Sequence, residues 1–367
     1  MIRKENRISN TQLFFIIIQA QIGVGILSLP HDVSLISKND GWISTLIAGT
    51  MVQVIILVLW GLGRKFPSLT IYEIIPHLIG KRLGKIIIFC YAIYFIVTGS
   101  LVLSRFIQVI DTWILQRTPN WILILLTLGV CVYIVKDTLR SIARFYVLVT
   151  PLLIILFGLV TYALKDANFL YIFPIGQSGI LNIVKGSKEA IFSMLGFEFM
   201  LFLYPYVKAT DARKLVAVSS ANLFVTLFYM YMVFASLIFF ETRQDLYLTP
   251  QPLLYMIKSY SFQIVERIDL FFLSIWIISV VTSIASWIFL ASNGFKYFFG
   301  RANHAGFLPY TAGIVFIITL LPRNETDLQK FNKILEPAHL GFIVVIPLFL
   351  FLFSFFFAKK RPGDRSV

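Results

Sequence analysis

Apolar stretches about as long as the 20 residues an α-helix needs to cross a bilayer recur along this chain, and they decide what it can fold into. They fall at 11–35, 43–62, 85–105, 121–135, 145–164, 187–207, 215–240, 270–292, 306–321 and 338–357. The shortest, "WILILLTLGVCVYIV", needs extension or tilt to span. None alternates as a membrane β-strand does. The expectation is an all-α polytopic membrane protein with about ten transmembrane helices. A composition that is 58% hydrophobic and 14% charged, with 36 Phe in 367 residues, agrees, being too apolar for a soluble core with a wetted surface.

Arg3, Lys4 and Arg7 precede the first span as they would a signal peptide. The run is too long for that, lacks a small-x-small cleavage site and is followed by further spans, so it reads as a retained helix. Cys90 and Cys131 both fall in apolar spans and read as buried thiols, not a disulfide or metal framework. With ten spans both termini share a side. That side collects about 20 of the 32 basic residues, from Arg3, Lys4 and Arg7 to Lys359, Lys360, Arg361 and Arg365, which predicts cytoplasmic termini. The net charge of +14 is thereby mostly explained, and no loop is long enough for a nucleic-acid-binding domain. On the opposite face, 241–269 and 322–337 are longer connections, the first with an amphipathic "PLLYMIKSYSF", and read as surface helices or a lid. On the cytoplasmic side "KFPSLTIYEIIPHLIGKRLGK" is similar, and its Glu73 and His77 read as a solvated face.

"QAQIGVGILSLP" in the first span is a poor choice for a plain anchor, because each helix-interior glycine costs on the order of 1 kcal/mol relative to alanine. Gly23 and Gly25 serve either close helix packing or an unwound segment facing a cavity. The sixth span, "EAIFSMLGFEFMLFLYP", carries Gly196 near its middle, then Glu198 and a terminal proline. Spans one and six stand five apart, the relation of corresponding members of two inverted repeats, and paired interruptions point to a substrate site. Glu198 is an intramembrane carboxylate, open to three roles: coupling proton, pairing with a base, or hydrogen bonding to unwound backbone.

"GVGILSLP", "DGWI", "FPSL", "RTP", "LGFEFMLFLYP", "VERIDLFFLSIWI" and "NGFKYFFG" resemble the B subunit of bacterial spore germinant receptors, a branch of the amino acid–polyamine–organocation transporter superfamily. The resemblance covers about 8–360. It implies a five-plus-five inverted repeat with broken helices 1 and 6, in one integral membrane domain over 1–367 whose repeats are about 11–164 and 187–357. It also implies the inner membrane of a dormant endospore, an A subunit and a C-subunit lipoprotein as partners, and a small germinant, first of all an amino acid. In that superfamily the unwound centres hold the ligand through main-chain atoms, here Gly23, Val24, Gly25 and Ile26 with Leu195, Gly196 and Phe197. Gly99, Ser283 and Trp287 are placed on the cavity side by the same resemblance. Ser279, Ser283 and Trp287 share a helix face, and Tyr94 and Thr98 stand at mid-depth beside Gly99. Thr282 and Ser283 suit a sodium ion, although no carboxylate is evident nearby. Arg105 reads as pairing with Asp111 or snorkelling, not as a ligand for substrate. His31, His77, His304 and His339 fall near loops or span ends, so neither an enzyme nor a cofactor is expected. Receptor and ion-coupled transporter remain the two readings.

Overall fold

A computed structural model describes residues 6–356 except 166, 242 and 261–266. Arg3, Lys4, Lys359, Lys360, Arg361 and Arg365, used above for orientation, lie outside the described residues. The first span is broken into α1 (Asn10–Gln21) and α2 (Gly25–Ser37), and α3 (Gly41–Lys65) is the second. A short amphipathic α4 (Ile71–Ile79) leads into the third, α5 (Lys81–Trp113), followed by α6 (Asn120–Val135). The fifth joins α7 (Leu139–Val149) to α8 (Leu152–Tyr162) across Thr150 and Pro151. The sixth is again broken, into α9 (Ile180–Ser193) and α10 (Phe199–Leu203), and α11 (Asp211–Phe239) is the seventh. Two short helices, α12 (Arg243–Leu248) and the mostly buried α13 (Pro252–Lys258), precede α14 (Ile268–Phe299) and α15 (Leu308–Thr319). The tenth span runs from α16 (Glu325–His339) through a π-helical turn at Leu340–Val345 into α17 (Ile346–Phe356).

Local sequence sets these boundaries. Ser9 and Gln12 form a reciprocal capping box that opens α1, and Thr70 with Glu73 does the same for α4. Among the described residues six stretches are long and apolar enough to cross a membrane, and Asn120–Val135 and Ala305–Thr319 are shorter apolar helices. The protein is a multi-pass membrane protein. Its packing follows the inverted repeat: α3 lies along α11, α5 along α14 and α2 along α9, so each pair joins a span to its counterpart five spans later.

Small residues let these pairs close. A Cβ on Gly294 would stand 2.9 Å from the Cβ of Ala92, where α14 crosses α5. One on Gly49 would stand 2.7 Å from the Cβ of Thr226, and Asn222 Nδ2 donates to the Gly49 carbonyl at 3.0 Å. Three expectations change. The third and eighth helices outrun their apolar stretches, because helices continue past the hydrocarbon layer where polar side chains reach water. The polar stretch 322–337 holds most of α16, which extends the tenth span instead of forming a separate surface helix or lid. Cys90 is exposed, on the same outer surface as Leu83, Ile86, Phe89 and Ile93, whereas Cys131 is buried as expected. Lipid takes the place of water around the bundle, so an apolar residue gains nothing by turning inward.

Gly49→Val is expected to overpack the α3–α11 crossing by about 1–3 kcal/mol and lower the thermal unfolding midpoint in detergent. Gly129→Val, where a side chain meets open space, leaves the midpoint unchanged.

Candidate functional site

The two interruptions touch. Between α1 and α2 residues 22–24 interrupt the helix, with Ile22 extended, and between α9 and α10 residues 194–198 form a run of turns. Gly196 adopts φ +126°, a backbone conformation open to glycine. A Cβ there would also lie 2.5 Å from the carbonyl carbon and oxygen of Ala20 and 2.8 Å from the nitrogen of Gln21. Gln21 Nε2 donates to the Met194 carbonyl at 3.0 Å and ties the breaks together.

Unwinding frees carbonyls that must find donors. Tyr229 on α11 donates to Gln21 O at 3.1 Å, and Ser283 on α14 donates to Ala20 O at 3.1 Å. One residue earlier on each helix, Thr282 Oγ1 donates to Gln19 Oε1 at 2.7 Å, while Gln19 Nε2 donates to Thr150 Oγ1 at 3.1 Å. Thr282 and Ser283, the pair that suggested sodium, thus direct their hydroxyls into α1. Glu198 Oε2 accepts from Gly196 N at 2.9 Å, and Oε1 is buried without a hydrogen-bond partner. Of its three candidate roles, the bond to unwound backbone is visible in the geometry.

Above the crossing lies a cavity of about 90 Å³. Gly23, Val24, Gly25, Leu195, Ser283 and Trp287 line it. Gly99 sits behind Trp287, where a Cβ would stand 3.1 Å from the tryptophan Cβ. Ile26 and Phe197 are fully buried in the apolar core and do not line the cavity, and Gly196 forms the crossing beneath it. Gly25 contacts protein, not open space: a methyl there would lie 2.8 Å from the Cβ of Ser193, so the glycine lets α2 approach α9. The wall thus contains the start of α2, which no side chain caps, and the end of α9. A helix N-terminus favours an anion and a C-terminus a cation.

Several lining residues escape the sequence reading. Arg105 is not confined to the rim beside Asp111; it lines the cavity together with Asp32 and Glu189. Asp32 stands inside the first apolar span and was as legible as Glu198, since an intramembrane charge is itself a functional signal. Gln21 also lines the cavity, with a buried Oε1 that has no hydrogen-bond partner. His339 lines it too, its Nδ1 2.9 Å from the Tyr94 hydroxyl, within the span and not at a loop.

The cavity is continuous with a vestibule of about 380 Å³, the two sharing Val24, Ser28, Asp32, Arg105, Glu189 and Asn332. Both long connections contribute to the mouth: Gln251 from one, and Glu325, Gln329 and Lys333 of α16 from the other. At its edge Lys188 on α9 pairs with Glu336 on α16 at 2.6 Å. Toward the opposite face the way is filled by the rings of Phe199, Phe202 and Phe289, with centroids 5.5 to 6.1 Å apart. There too the chain before α1 is latched: Ile8 N donates to Tyr206 O at 3.0 Å and Lys208 N to Ile8 O at 2.9 Å. The site is open to one face and closed to the other.

Residues 7–328 match a family model described as spore germination protein. The chain is 30% identical over 343 residues to the Bacillus cereus spore germination protein GerQB, covering 93% of each. It is 27% identical over 378 residues to the Bacillus subtilis (strain 168) spore germination protein YndE, covering 100% of each. Among solved structures it is similar to MhsT in complex with L-phenylalanine, at a TM-score of 0.69 and 16% identity, covering 98% of this chain and 91% of that one. That likeness speaks for the fold, in which paired broken helices cross at the centre of two inverted five-helix repeats. The chain belongs to the spore germination protein family.

Proposed function

We propose that the protein is the membrane subunit of a spore germinant receptor and binds a small amino acid in the cavity at the helix crossing. In this reading it is one integral membrane unit, with repeats about 11–164 and 187–357, in the inner membrane of the endospore. Its termini are cytoplasmic and the vestibule faces outward. Binding biases the bundle between two states, and A and C subunits sense the change. The observation that carries the reading is the cavity wall itself, which brings together opposite charges and opposite helix ends. The start of α2 with Arg105 suits a carboxylate; the end of α9, Gln21 Oε1, Asp32 and Glu189 suit an ammonium group. A volume of about 90 Å³, bounded by Phe192, Leu195 and Trp287, suits a short side chain.

The direct test is equilibrium binding and uptake of labelled amino acids by the purified protein in proteoliposomes, with and without a proton gradient. Saturable binding without accumulation is expected; gradient-driven accumulation would make the protein a transporter. Arg105→Gln is expected to weaken amino acid binding about 10-fold or more, the value of a charged hydrogen bond, and to spare the matching amine that lacks a carboxylate. Gly25→Ala is expected to weaken binding by prising α2 from α9, and Ser193→Gly in the same chain to restore part of it. No recovery would mean that the methyl group meets ligand. Leu195→Phe is expected to exclude longer side chains first, read as a change in the order of preference across a size series.

A further inference from the structure

At the closed end of the molecule, away from the vestibule, a shallow groove of about 540 Å³ runs between the start of α1 and α7. Four bases line it, Arg7, Arg140, Arg144 and Lys208, and among the described residues no acid does. They come from three places: the chain before α1 and the segment after α10, which the latch joins, and the first half of the fifth span. Arg140 Nε donates to the Arg7 carbonyl at 3.1 Å, which fixes the two strands of the groove to one another. Arg7, Arg144 and Lys208 are exposed. These three like charges converge here at a cost in mutual repulsion, which an anion relieves.

The surroundings identify the anion. On α7 the face that carries Arg140 and Arg144 continues one turn later to Leu148, which is 74% exposed, and past the bend to Ile154, which is 70% exposed. The other face of the helix, Leu139, Ile142, Ala143 and Tyr146, is buried in the bundle. Bases at one level and a bare apolar stripe directly beyond them match a phospholipid, whose phosphate lies at the interface and whose chains run into the core. Ile8 and Val147 supply an apolar floor between the two levels. We propose that this groove is a binding site for an anionic phospholipid, whose headgroup holds α1, α7 and the segment after α10 together and so favours the closed state of this face. Soluble phosphate shares the headgroup chemistry but has nothing to lay along Leu148 and Ile154.

The test uses the full chain purified in a neutral detergent and titrated with phosphatidylglycerol, phosphatidylcholine or glycerol 3-phosphate. Thermal unfolding and native mass spectrometry report binding. Phosphatidylglycerol is expected to raise the unfolding midpoint and remain bound, and the other two to do neither. Arg144→Gln/Lys208→Gln, both at exposed positions, is expected to lower the affinity roughly 25-fold, about fivefold for each base near the surface, without moving the midpoint in lipid-free detergent. Lys81→Gln/Arg82→Gln removes the same charge at the exposed start of α5 and is expected to change nothing. An equal loss in that second variant would mean diffuse attraction and overturn the site. Equal stabilisation by glycerol 3-phosphate would overturn the lipid assignment.

Discussion

Everything at the centre of this protein depends on bare backbone meeting bare backbone where Gly196 crosses Ala20 and Gln21. Two α-helices in ordinary contact are held 8–10 Å apart by their side chains. Here both have unwound, and one has no side chain to keep the other away. The unwinding has a cost, since peptide groups in an apolar surrounding must be paired. Tyr229 and Ser283 meet it at Gln21 and Ala20, and the Gln21 amide meets it at Met194. The crossing therefore recruits α11 and α14 as well as its own two spans.

The same economy explains why this bundle carries so many buried polar groups. Gln19, Thr150, Tyr146, Thr282 and Ser286 form a chain of hydrogen bonds that ties α1, the fifth span and α14. In lipid an unpaired donor finds no water, so such a chain specifies one register of the three helices and penalises the others. Asn222 at the Gly49 carbonyl and Tyr94 at His339 pin further crossings in the same way. What fixes the geometry of the cavity is this polar minority.

How much of this can be read beforehand depends on whether a residue violates its local setting. Gly23, Gly25, Gly196 and Glu198 do so plainly, being helix-weakening or charged within apolar spans, and they mark both breaks. Arg105 and Glu189 stand near the ends of apolar runs, where a charge looks like a boundary, and nothing local says that their helices continue past them around a vestibule. Asp32, a charge inside the first span, was legible by the same rule as Glu198. Polar α16 reads as a connection that folds into a surface helix or lid, because hydropathy records the hydrocarbon layer and not helix length. The direction in which Gly25 presents its missing side chain, toward Ser193 and not toward ligand, belongs to tertiary structure alone. Cys90 shows the converse, since an apolar neighbourhood in sequence cannot distinguish the core from the lipid-facing surface.

The π-helical turn at Leu340–Val345 gives the tenth span two mechanical halves. Wider turns of this kind loosen the regular ladder and leave carbonyls to outside partners; here Tyr91 of α5 donates to Phe342 O at 2.7 Å. Below it α17 lies against α3, and above it α16 reaches out to the vestibule with Glu325, Gln329, Asn332, Lys333 and Glu336 along one side. The turn is a fulcrum pinned by a tyrosine. A tilt of α16 about it would widen or narrow the mouth of the vestibule while α17 kept its seat, which would set the aperture independently of the anchor.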